Sequence, residues 1–80
     1  MKLHQIRIKP RLSKLLKEKG WTQSELADKT GVNQASISRF DIQTRHDDRH
    51  LFVIAHALDC RIEDLFEVVE NEDSKQETEE

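Results

Sequence analysis

The chain has 80 residues, 35% of them hydrophobic and 36% charged, enough for one small domain with a single core and little stability to spare. Two glycines, one proline and no tyrosine argue against a turn-rich sandwich or barrel. The longest apolar run, Leu51 to Ala55, falls far short of the roughly 20 residues that span a bilayer.

In chain order, Gln5-Ile6-Arg7-Ile8-Lys9 alternates polar and apolar side chains, which is strand patterning. Pro10 then suits the first turn of a helix, where a missing N–H costs nothing. Leu12, Leu15 and Leu16 follow at helical spacing and Gly20 fits the position past the end, so helix one is predicted over about 10–19. Thr22-Gln23-Ser24-Glu25 reads as a capping box, with Trp21 stapling onto Leu26 and Gly31 closing helix two after Thr30. Asn33 can cap a third helix over about 34–41, with Ile37 and Phe40 inward.

Residues 42–46 read as a loop. Asp47 or Asp48 caps helix four, whose stripe is Leu51, Ile54, Ala55 and Leu58. Asp59 must then take the left-handed position usually given to glycine. A short helix five is predicted over about 62–67, although Arg61 is a poor capping residue. Glu67-Val68-Val69-Glu70 has a β-branched centre and can pair with the amino-terminal segment as a two-stranded ribbon, within a subunit or across a dimer. Residues 71–80 contain no apolar side chain and are expected to form a disordered acidic tail beyond a 1–70 domain. The fold class expected is all-α with five helices, plus that ribbon.

The net charge of −3 hides a division. Residues 1–62 hold twelve Lys/Arg against seven Asp/Glu, whereas 63–80 hold Lys75 against nine acids. A basic body can offer one face to a polyanion; a solvated surface with ordinary charge bias would look the same, so charge alone decides nothing.

The informative run is Thr22 to Phe40. Leu26 and Ala27 face the core, Gly31 takes a sharp turn, Val32 plugs the corner and Ile37 packs the next helix down. The run resembles the Cro/repressor-type helix-turn-helix family (the Xre family), whose pattern is T-Q-x-x-L-A-x-x-x-G-[VI]-x-x-x-x-I-S. More loosely the resemblance extends over 10–67, where Ala57 to Phe66 looks like that family's last two helices. In place of the family's Glu-Asn-Gly-like turn stands Asp41-Ile42-Gln43, and Arg61 replaces a small capping residue.

The resemblance implies a lambda-repressor-like five-helix domain that inserts helix three into the major groove of double-stranded DNA. It also implies a homodimer on half-sites roughly 34 Å apart. Gln34, Ala35, Ser38 and Arg39 would then face base edges: Gln34 bidentate to adenine, Ala35 against a thymine methyl, Arg39 on guanine or a phosphate. Thr22, Gln23, Asn33, Ser36, Thr44 and Arg45 would hold the sugar-phosphate backbone, Thr22 and Gln23 with help from a helix N-terminus. A repressor that occupies an operator is the expected role, in the cytoplasm, where the single Cys60 also fits. With no room for a ligand-sensing module, control would fall on abundance, dimerisation or a partner protein.

Other classes find less support. His46/His50 and His56/Cys60 are each four apart, which can set two ligands on one helix face, but no C-x-x-C accompanies them and no metal is expected. His56 reads as a helix-surface residue and Cys60 as a small buried hydrophobe. There is no Gly-rich phosphate loop and no nucleophile beside a base, so neither catalysis nor a cofactor or small-molecule ligand is expected. No apolar stretch follows the basic amino end, so no secretory signal is expected. The rival reading is a protein-interaction module on the same scaffold, antitoxin-like or polymerase-binding, which the acidic end favours.

Overall fold

The computed structural model describes residues 5–69; the expected acidic tail lies outside them. The order is β1 (Arg7–Pro10), α1 (Leu12–Lys19), α2 (Gln23–Thr30), α3 (Gln34–Ser38), a 3₁₀ turn (Phe40–Ile42), α4 (Asp48–Ala57), a second 3₁₀ turn (Ile62–Leu65) and β2 (Phe66–Val69). Four α-helices are therefore seen among the described residues, not five, and a small antiparallel sheet joins them.

The core draws on every helix. Leu12, Leu15 and Leu16 of α1 meet Leu26 of α2, Val32 in the corner, Ile37 of α3, Phe40, Ile54 and Ala55 of α4, Leu58 and Leu65. Trp21, Leu51, Cys60 and Phe66 are partly buried around it. Burying these side chains drives the fold, and α3 in particular is only five residues long, too short to persist in water without such packing.

The helix ends follow local chemistry. The Thr22 hydroxyl accepts from the Glu25 amide at 3.1 Å, and the Thr22 amide donates to the Glu25 carboxylate at 2.8 Å, completing the capping box. Gly31 sits at φ 75° and its amide returns to Ala27, a conformation costly for a residue with a Cβ. Thr30 ties this corner from the other side, its hydroxyl donating to the Leu26 carbonyl at 2.7 Å and accepting from the Val32 amide at 3.1 Å. The Asp47 carboxylate caps α4 through the amides of Arg49 and His50. Asp59 does take the left-handed role, at φ 56°.

Three expectations are corrected. Pro10 is not in the first turn of helix one; it ends β1 opposite Phe66, and α1 starts at Leu12. Pairing with a distant strand prevails there over the local preference for a proline at a helix start. Arg11 gives α1 no side-chain cap. The carboxylate of Asp41 substitutes for one, accepting from the Leu12 amide at 2.8 Å and the Ser13 amide at 3.0 Å.

Helix three does not run to residue 41. It stops at Ser38 and tightens into the 3₁₀ turn, where the Ile42 amide reaches back to Arg39. That turn lets Asp41-Ile42-Gln43 leave the helix without a glycine, Gln43 already being extended at φ −95° and ψ 146°.

Helix five is a single 3₁₀ turn. The Asp64 amide bonds the Arg61 carbonyl, its carboxylate accepts from the Arg61 amide at 3.0 Å, and Phe66 then enters β2. The β-branched pair Val68-Val69 gains more from pairing with β1 than from another helical turn. The ribbon forms within one chain, Ile8 opposite Val68 and Lys9 opposite Glu67.

Replacing Asp41 by Ala should strand two amides of α1 and cost about 1–2 kcal/mol in urea unfolding, with Asp41→Asn recovering part of the loss. An Asp41→Ala chain as stable as wild type would contradict the capping assignment.

Candidate nucleic-acid interface

The candidate site is built on α2 and α3, held at a sharp corner by Gly31, Val32 and Thr30. Ile37 is 2% exposed and anchors α3 from beneath. With that side down, Gln34, Ala35, Ser38 and Arg39 are all exposed, while Ser36 is half-buried. The four side chains expected to share an outward face therefore do share one, and the outer surface of α3 is polar and uncovered.

Asn33 caps α3, its Oδ1 accepting from the Ala35 amide at 2.7 Å. Its side-chain NH2 remains available as a donor. Thr22 is exposed and Gln23 half-buried at the start of α2. Because the Thr22 amide is given to Glu25, the hydroxyl proton of Thr22 and the amides of Gln23 and Ser24 are what this helix start can offer an anion. Thr44 and Arg45 are exposed in the loop after the first 3₁₀ turn.

Three acids around the motif are turned to structural use, while Asp28 of α2 stays exposed. Glu25 faces the start of α2, Asp41 the start of α1 and Asp47 the start of α4. Each sits at the positive end of a helix dipole, which offsets its charge locally. Arg39 and Arg45, by contrast, are exposed and free to set the sign of the field around α3.

Two supporting roles were not read from sequence. The Ser24 hydroxyl of α2 lies 3.3 Å from Oε1 of Gln34 and donates to it. This holds the Gln34 carbonyl oxygen, and leaves its NH2 and one lone pair of that oxygen uncommitted. Ser24 sits in the quoted run, but only the corner between α2 and α3 brings it to Gln34. His46 is the second. Its Nε2–H donates to the Phe40 carbonyl at 2.8 Å and its ring lies 4.1 Å from that of Phe40, pinning the loop that carries Thr44 and Arg45 to the end of α3.

His50 lies on α4, and His56 is exposed there with its ring stacked on Phe52 at 5.8 Å. Among the described residues no group of three or more His, Cys, Asp or Glu is placed to hold a metal ion, and no helix is long and apolar enough to cross a membrane.

Two helices meeting at a glycine corner, the second displaying a polar face over an apolar base, define a helix-turn-helix. The chain belongs to the Cro/C1-type HTH DNA-binding domain family, whose sequence model matches residues 11–71. That is a family of DNA-binding regulators, not of enzymes. A fold similar to this one is the crystal structure of the transcriptional regulator VanUg, Form II, with a TM-score of 0.64 and 19% identity. The alignment covers 89% of this chain and 96% of that one. Comparison with curated proteins finds no match.

Cys60 is half-buried against the core. Burial raises its thiol pKa, with Asp64 and Asp59 adding to the rise and Lys19 and Arg11 opposing it. Since the thiolate is the nucleophile, alkylation by iodoacetamide at neutral pH should be slower in the folded chain than in urea. Equal rates in the two states would show Cys60 to be an open, ordinary thiol.

Proposed function

We propose that this chain is a sequence-specific, double-stranded DNA-binding transcriptional regulator that lays α3 in the major groove as a homodimer and represses by occupying an operator. The observation that carries the reading is the outer face of α3: Gln34, Ala35, Ser38 and Arg39 exposed together over a buried Ile37. Gln34 offers the donor and acceptor pair that matches the major-groove edge of adenine, and Arg39 offers a fork for guanine or a point charge for phosphate. Thr22, Gln23, Asn33, Ser36, Thr44 and Arg45 ring that face as backbone contacts, which set register without reading sequence. A lone domain with so few base contacts binds weakly, and two on one site recover affinity through effective concentration.

Selection of duplexes from a random pool with the purified chain tests the reading. On the selected site, Gln34→Ala should cost about 1–3 kcal/mol and blur one base position, while binding to random duplex barely changes. An equal loss on both would remove Gln34 as a base reader. The log of the affinity should fall steeply with the log of salt, at about −0.9 per phosphate contacted. A flat salt response would favour the protein-interaction alternative instead.

Ser24→Ala should relax discrimination at the same base position as Gln34→Ala, because it frees the Gln34 amide without removing it. Retention of full discrimination in the Ser24 variant would separate the two residues functionally.

A further inference from the structure

Ile42 is 80% exposed, more than any other large apolar side chain among the described residues. It closes the 3₁₀ turn that follows α3, so it stands beside the polar face. The other exposed apolar side chains lie on the ribbon, its flanks or α4.

This exposure is not slackness of the chain. Phe40 is buried, Asp41 is tied to the amides of Leu12 and Ser13 at 2.8 and 3.0 Å, and the Ile42 amide donates to the Arg39 carbonyl at 3.1 Å. With both preceding residues committed inward, the turn holds Ile42 outward. An apolar side chain held in water contributes no burial to the fold.

Its direction follows from the turn. Residues three apart in a 3₁₀ helix eclipse one another, so Ile42 continues the line of Arg39. Arg39 in turn comes four residues after Ala35, on the same side of α3, and both are exposed. Ala35, Arg39 and Ile42 therefore form one row along the face that also carries Gln34 and Ser38, and the last member of that row is apolar.

We propose that Ile42 is a further specificity residue of the interface, in van der Waals contact with the C5-methyl of a thymine beyond the Arg39 contact. The inference rests on the DNA reading above and names a base feature which that reading leaves unassigned. Chemistry selects this partner. The major-groove edges of the base pairs are donors and acceptors, with one apolar feature, the thymine methyl. Docking of a protein would call for a contiguous apolar patch, whereas the residues that adjoin Ile42 along the chain, Asp41, Gln43, Thr44 and Arg45, are all polar. A lone apolar side chain suits a lone methyl. With Thr44 and Arg45 on the adjoining phosphates, Ile42 is held at the groove.

The test uses the 80-residue chain and the duplex it selects from a random pool. Each thymine of the site is replaced in turn by deoxyuridine, which removes the methyl and keeps the pairing. One such position, on the Arg39 side of the site, should cost wild type about three- to fivefold in Kd, the worth of one buried methyl. Ile42→Ala, its fold checked by circular dichroism, should bind the unmodified site more weakly by at least that factor and be indifferent to uridine there. Ile42→Val keeps a branched apolar end and should retain the sensitivity. A uridine-sensitive position owed to Ala35 should stay sensitive in all three chains.

Ile42→Ala binding the selected site as tightly as wild type overturns the inference. So does a uridine cost that is the same in wild type and Ile42→Ala at every position, or a site whose affinity nowhere depends on a thymine methyl. Each of these leaves the DNA reading standing if Gln34→Ala still loses affinity on the same duplex. A wild type that binds no duplex would instead sink the DNA reading, and this inference with it.

Discussion

The carboxylate of Asp41 accepts hydrogen bonds from the amides of Leu12 and Ser13, and through them the end of α3 and the start of α1 are held together. Asp41 belongs to the 3₁₀ turn that ends α3, while Leu12 and Ser13 begin α1, 29 and 28 residues earlier in the chain. One side chain thus closes the open end of the first helix and ties the exit of α3 to it. In so short a chain, α3 has only five helical residues and no independent stability. It is held by Ile37 beneath, Gly31 and Thr30 in front, and Asp41 behind. The same constraint explains why the turn after α3 needs no glycine: its backbone is positioned by the bond it makes to α1 rather than by freedom of its own.

This economy has a consequence for the electrostatics. The residues around α3 include enough acids to discourage a polyanion, yet Glu25, Asp41 and Asp47 all direct oxygens at helix-start amides. Capping and the exposure of Arg39 and Arg45 work together, so that a chain of net charge −3 can still present a cationic, hydrogen-bonding face. The nine acids of residues 63–80 begin on the opposite side of the motif in sequence, in the turn and strand that build the ribbon.

The ribbon is packed unevenly along its length. Its anchored end shares the Phe40–His46–Phe66 ring cluster with the end of α3, whereas its free end exposes apolar side chains.

Much of this was legible along the chain because it depends on neighbours. The capping box at Thr22, the glycine corner at Gly31, the Asn33 and Asp47 caps, the left-handed Asp59 and the inward stripe of α4 are all decided within a few residues. So is most of the outward side of α3, since a helix with Ile37 buried turns Ala35 and Arg39 away; Gln34, one turn before Ile37, is exposed because nothing among the described residues covers the start of the helix. The start of α1, the length of α3 and the identity of the fifth element were not legible. Pro10 reads as a helix start until Phe66 pairs with it, residues 62–67 read as a helix until β1 captures Val68, and Ser24 and His46 show no supporting role until Gln34 and Phe40 arrive beside them. Local spacing determined which helices exist and which faces they bury. Only the tertiary structure decided where they begin and end, because those limits are set by hydrogen bonds to residues tens of positions away.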